Sequence, residues 1–275
     1  MRIVLTGARG LVGSHLDVLL REQGHTVVPL LRPAFHLGRE IPADALRGAD
    51  ALIHCAYDFQ PHGEPAVREA NVEGSLKLFE AARQAGVPRH VFVSSIAAFE
   101  GCRSVYGRCK LEVELAVLRD GGIVVRPGLI HGDTQSRGML GTLARVSGLP
   151  LLPMIGGGRF VFYLAHIADV VRLLAEAVVK VDSWRGRILV AAHPQAWTLL
   201  QLMRELGRRQ GRGRFLAIPV PVSVALTGLQ SLERLGLRPR FRSDSLVSMV
   251  YFDTQPPFTP DVNTAERFRA FGGSP

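Results

Sequence analysis

Lysine is almost missing from this 275-residue sequence: Lys77, Lys110 and Lys180 are the only ones, so arginine carries nearly all of the positive side of a net charge of +9. The arginines are scattered from Arg2 to Arg269. Without a basic stripe, a nucleic-acid partner is not expected, although the net charge alone would permit one. The one dense cluster, Arg208, Arg209, Arg212 and Arg214, accompanies glycines and reads as a solvated turn. Cysteine is scarce too. Cys55, Cys102 and Cys109 are odd in number and lack C-x-x-C spacing, which excludes a disulfide framework or a zinc knuckle and fits a reducing compartment. The nine histidines show no ligand spacing, so no metal is expected. No apolar run approaches the roughly 20 residues that span a bilayer, and the longest, 218–229, is broken by Pro219 and Pro221. A strand signal begins at Arg2 and leaves no room for a cleavable leader. A soluble cytoplasmic protein with no membrane partner is the expectation.

What is present is an alternation of short apolar runs and amphipathic stretches. Residues 2–6, 26–31, 51–55, 90–94 and 123–126 lack polar alternation, as strands buried on both faces do. Between them 11–23, 64–85 and 104–119 read as helices, stopped at Gly24, Gly86 and Gly121-Gly122. The crossover from 31 to 51 is too compact for much helix. The pattern predicts an α/β fold, a doubly wound parallel Rossmann sheet with a smaller, mostly helical C-terminal lobe. Residues 1–130 form the dinucleotide-binding domain, rejoined by about 160–195 through a helix at 166–179 and a strand at 187–191; 131–159 and 196–275 form the substrate lobe. Pro127, Pro150, Pro153 and Gly156-Gly157-Gly158 predict loops covering a site.

Gly7-Ala8-Arg9-Gly10-Leu11-Val12-Gly13 falls between the first strand and the first helix, where a dinucleotide loop belongs. Gly7 permits the sharp turn, Gly10 the close approach of backbone to pyrophosphate, and Gly13 the tight packing of helix on sheet. The first helical turn, from Leu11 and Val12, offers free N–H groups and a positive dipole end. NAD is usually held by a carboxylate at the end of the second strand, but no Asp or Glu occurs between Glu22 and Glu40. Arg32 stands there instead and Arg9 lies in the turn, which favours the 2′-phosphate of NADP(H), with NAD(H) as the alternative if Arg32 is merely solvated.

Tyr106 and Lys110 are four apart on a predicted helix and therefore share a face. A nearby ammonium favours phenolate, so Lys110 is expected to lower the tyrosine pKa and to reach the nicotinamide ribose. The preceding strand ends in Ser94-Ser95 at the sheet edge where ligands bind. Ser95 could steady a substrate oxygen beside Tyr106; Ser94 is its rival, and either could cap a turn. His131, Asp133 and Arg137 follow the fifth strand and read equally as substrate-lining or as structural loop.

Together with the Thr6-to-Gly13 turn, His54-Cys55-Ala56, Asn71 with Gly74, Ser94-Ser95, Tyr106 with Lys110, Arg126-Pro127-Gly128, and His166 with Asp169, the sequence resembles an extended or atypical short-chain dehydrogenase/reductase of the NAD-dependent epimerase/dehydratase group over nearly its whole length. The resemblance implies that Ser95 orients substrate, Tyr106 is the general acid or base and Lys110 binds ribose. It also implies that Cys55, Ala56 and Pro127 border the cofactor. This chain departs from the pattern at Tyr57, which replaces an alanine, at Cys109, which replaces a serine, and at Ala98-Phe99-Glu100, which replaces Val-Tyr-Gly. The interval from Ser95 to Tyr106 is also short.

The expected activity is NAD(P)-dependent hydride transfer to or from a small, sugar-like or nucleotide-sugar substrate. A nucleotide-sugar epimerase using the same residues, or a non-catalytic NADP-binding sensor, is the alternative. Helices carrying the tyrosine in similar proteins often pair between subunits, which makes a homodimer possible.

Overall fold

The computed structural model describes residues 1–39, 41, 43–132, 138–211, 215–237, 239, 241–264 and 266–272. In chain order the first half runs β1 (Arg2–Thr6), α1 (Leu11–Glu22), β2 (Thr26–Leu30), α2 (Ala43–Leu46), β3 (Ala51–His54), α3 (Glu64–Arg68), a π-helical turn (Glu69–Glu73), α4 (Gly74–Gln84), β4 (Arg89–Val93), α5 (Val105–Arg119) and β5 (Ile123–Pro127). There follow β6 (Leu129–His131), α6 (Gly138–Val146), β7 (Leu151–Ile155), β8 (Val161–His166), α7 (Ile167–Val179), α8 (Val181–Trp184), β9 (Ile188–Ala191), β10 (Ala196–Thr198), α9 (Leu199–Arg209), β11 (Leu216–Val220), α10 (Val222–Arg234) and α11 (Ser243–Val250).

Six of these strands form one parallel sheet in the order β2-β1-β3-β4-β5-β9. β3 and β5 are buried throughout and β1 from Ile3 on, as apolar strands covered on both faces must be. Leu16 and Leu20 of α1 and Val170, Leu173 and Leu174 of α7 cover one face. Leu46 of α2, Leu78 and Phe79 of α4, and Val113 and Val117 of α5 cover the other. β2 and β3 lie on opposite sides of β1, so the crevice where the winding reverses opens at the C-terminal ends of β1 and β3. α7 and β9 return to this body.

A third apolar cluster builds the lobe, with Leu140 from α6, Leu164 from β8, Leu202 and Leu206 from α9 and Met249 from α11. Here the structure corrects the expectation of loops between 127 and 165. β6 and β8 pair in a three-stranded sheet with β10, and β7 pairs with β11. The prolines are compatible with this because a two-stranded ribbon is all edge: Pro153 stands opposite Ile218 and Pro219 opposite Met154. The triple glycine forms a short 3-10 turn. The region after 196 is less purely helical than predicted, since it contributes β10 and β11. The single helix predicted over 64–85 is broken by the π turn, within which the Asn71 side chain bonds the Asp58 backbone.

Candidate active site

The cofactor cradle begins at Gly7, whose φ of 71° lies in the left-handed region and whose absent Cβ would stand 2.8 Å from the Ala56 nitrogen. A Cβ on Gly13 would fall 2.2 Å from the Gly7 oxygen, so α1 approaches the turn only because Gly13 has none. Gly10 caps α1 without a side-chain hydrogen bond, and the first turn carries no acid. Leu11 and Val12, both partly buried, open that turn with uncapped N–H groups. These features fit a dinucleotide pyrophosphate. Cys55 and Ala56 follow β3 across the crevice from Gly7, while Pro127 ends β5 and accepts the Ile96 N–H at 3.0 Å. Burial lifts the Cys55 thiol to about 12, which leaves it an unreactive neutral wall.

A hydrogen-bond chain sequence reasoning did not assemble fixes the crevice. Ala56 N–H donates to Thr6 Oγ1 at 3.2 Å, which pairs with His54 Nδ1 at 2.6 Å; His54 Nε2 pairs with Ser75 Oγ at 2.8 Å, which donates to the Asn71 carbonyl. Since Ser75 gives its proton to Asn71, it accepts from Nε2–H, and Thr6 must donate to Nδ1. Burial, helped by the charge of Lys110, drops the His54 pKa to about 3, so the ring stays neutral and the chain intact at any working pH.

Arg32 follows β2 as predicted, and its guanidinium meets the buried carboxylate of Asp58 at 2.8 Å, with His36 Nε2 on the same oxygen at 3.2 Å. Sequence gave no sign of Asp58, which arrives from the loop after β3. Arg9 is exposed and forms no ion pair with a described residue.

α5 carries Tyr106 and Lys110 along the end of β4. Ser104 caps it by accepting from Gly107 N–H at 3.0 Å. Asp244 of α11 adds a clasp from the lobe: its two carboxylate oxygens accept from the N–H groups of Val105 and Tyr106 at 2.7 and 3.1 Å. Tyr106 and Ser95 share the wall of one cavity, and Ser95 is the neighbour that favours the Tyr106 phenolate. Ser95, and not Ser94, lines the cavity with Tyr106, whereas the buried Ser94 hydroxyl has no partner among the described residues. The expected electrostatics are corrected. Lys110 Nζ donates to the Val93 carbonyl at 2.7 Å and lies over the rings of Phe92 and Tyr57. Burial raises the Tyr106 pKa, and the opposing influence is Ser95, with no lowering from Lys110. Burial pulls Lys110 itself down to about 8. One turn further along α5, Glu114 forms a buried bidentate pair with Arg126 of β5 at 2.9 and 2.6 Å.

Tyr106 and Ser95 open onto a cavity of about 840 Å³ between sheet edge and lobe, walled by Tyr57, Phe59, Phe162, Phe241, Met249 and Phe252 among others. His131 is not on its wall but packs against His166 and Phe271. Asp133 and Arg137, like Arg212 and Arg214 of the basic cluster, lie outside the described residues. Arg208 and Arg209 pair with Glu205. Among the described residues no group of three His, Cys, Asp or Glu could hold a metal, and no helix is long and apolar enough to cross a membrane.

Residues 3–192 match the NAD dependent epimerase/dehydratase family. The chain belongs to that family. Over 252 residues it is 29% identical to an uncharacterized protein of Mycobacterium tuberculosis, covering 87% of this chain but only 26% of that longer protein. The chain thus spans about a quarter of the length of the mycobacterial relatives it matches. It is also 31% identical over 170 residues to a ceramide reductase of Caulobacter vibrioides, covering 54% of this chain and 53% of the reductase. In fold it is similar to a short-chain dehydrogenase/reductase superfamily protein from Agrobacterium tumefaciens solved with bound NAD, with a TM-score of 0.68 and 20% identity over 90% of this chain and 95% of that one. Family membership and this doubly wound fold agree with the resemblance read from the motifs.

Proposed function

We propose that the chain is an NAD(P)-dependent carbonyl reductase in which Tyr106 supplies the proton and Ser95 steadies the carbonyl oxygen. The observation that carries this reading is that Tyr106 and Ser95 share the wall of one cavity with Tyr57, which follows the Ala56 that faces Gly7. The nicotinamide, when bound, supplies the hydride for the carbonyl carbon. Tyr106 gives its proton to the oxygen, so the hydride and the proton that convert ketone to alcohol are accounted for. Burial raises the Tyr106 pKa, which favours the protonated phenol that a reduction draws on. Lys110 acts from beneath, holding the end of β4 through Val93 and standing ready for the ribose.

NADP(H) is the cofactor we infer, from Arg9 in the turn and Arg32 at the end of β2, with NAD(H) the alternative. The Asp58 carboxylate on Arg32 weakens that preference without consuming a guanidinium whose side chain stays 54% exposed. Titrating NADPH and NADH against intrinsic fluorescence in wild type and Arg32→Ala tests it, and equal wild-type affinities would refute it.

Tyr106→Phe tests the chemistry. Loss of NAD(P)H oxidation with cofactor binding retained is the expected result. Turnover that survives the substitution would remove Tyr106 from the mechanism. Inversion of a nucleotide-sugar carbon without net cofactor consumption would assign an epimerase, and cofactor binding with no turnover on any carbonyl would assign a sensor.

A further inference from the structure

Tyr57 stands where the family pattern has alanine, and the structure gives the change a place. Its ring meets that of Tyr106 edge-on, with centroids 4.9 Å apart, and lies 4.7 Å from Phe59. Phe59 is nearly parallel to Tyr106, tilted by 17° at 6.2 Å, and yet is 65% exposed. Core packing therefore does not explain Phe59. An aromatic left open at the mouth of a cavity, beside a polar pair, is the arrangement of a ligand surface. Arg242 holds it in place from the lobe by donating to the Phe59 carbonyl at 3.3 Å.

The charged groups on the cavity wall also have protein contacts. Asp244 is taken up by the N–H groups that open α5, Arg242 by the Phe59 carbonyl and Asp253 by the Gln255 N–H at 2.8 Å; Arg145 is engaged as well. Beside the hydroxyls of Tyr106 and Ser95 the wall carries the rings of Tyr57, Phe59 and Phe162 and the thioethers of Met139 and Met249.

We propose that Tyr57 and Phe59 form an aromatic shelf for a ketone or aldehyde with a flat, apolar ring system, its carbonyl directed at Tyr106 and Ser95. The fate of that carbonyl rests on the reductase reading above; the shelf does not. The test compares NADPH and NADH consumption on 2-acetylnaphthalene, 2-butanone and a thymidine-diphosphate-linked 4-keto-sugar, with calorimetric binding of 2-acetylnaphthalene, in wild type and Phe59→Ala. Exposure of Phe59 makes the variant safe for folding. The expected result is the highest kcat/KM on the naphthyl ketone, and a KM for it raised about fivefold in the variant with kcat kept, as loss of one ring contact dictates. Preference for the keto-sugar, or an unaltered KM in Phe59→Ala, overturns the shelf. If no carbonyl is reduced, binding decides: naphthyl ketone held by wild type and weakened in the variant keeps the shelf and removes the reductase, and absence of binding overturns the shelf as well.

Discussion

Replacing Lys110 with Met should stabilise the protein at neutral pH while impairing its chemistry. The ammonium is buried, and its pKa falls from the ordinary 10.5 to about 8 because burial penalises the charge. At pH 7 the folded chain thus carries a charge it holds less willingly than the unfolded chain does, a penalty of about 3 kcal/mol. Met fills the slot with similar bulk but forfeits the hydrogen bond to the Val93 carbonyl, about 1 kcal/mol or somewhat more. A net gain of about 1–2 kcal/mol at pH 7 follows. The sign of the pH dependence is the sharper test. A folded pKa below the unfolded one makes the penalty full below about 8 and relieves it as pH rises toward the unfolded value. The advantage of Lys110→Met should therefore shrink by about 1 kcal/mol between pH 7 and pH 9. Urea denaturation of both proteins at pH 7, 8 and 9 measures it. A difference constant across that range, or one that widens, would refute the claim that a desolvated charge sits on α5.

Gly13→Ala forces a Cβ to within 2.2 Å of the Gly7 oxygen; fluorescence titration should find NAD(P)H affinity lowered more than about tenfold. Arg126→Met strands Glu114, which is fully buried, and should cost about 3–5 kcal/mol in denaturant unfolding, with much of it recovered by adding Glu114→Leu. Asp244→Ala removes the acceptor for two N–H groups of α5 and should lower stability by about 0.5–2 kcal/mol. Hydrogen exchange should show faster opening in the first turn of α5, and kcat should fall more than cofactor affinity.

The dinucleotide half was readable because its physics is local. β1, β3 and β5 are apolar runs since both faces are covered, and Gly7, Gly10 and Gly13 mark a turn whose spacing is its geometry. The lobe was less readable. Pro153 and Pro219 read as strand breakers, yet a two-stranded ribbon leaves an unpaired edge that accepts them. Arg32 was found in sequence but its partner was not, because Asp58 lies 26 residues on and no spacing rule joins them. The four-residue interval from Tyr106 to Lys110 placed both on α5 correctly. It did not reveal that the ammonium would turn to the Val93 carbonyl, since the position of β4 against the helix is a tertiary fact. Tyr57 was visible only as an oddity until Phe59 and Tyr106 stood beside it.

The Asp244 clasp grips peptide groups and no side chains. What residues 105 and 106 carry is therefore invisible to it, and the tyrosine is free to be whatever chemistry demands. Any exchanged or redesigned C-terminal portion would dock on α5 provided it delivered one acceptor to that spot, which makes the junction a handle for swapping specificity while keeping the reaction.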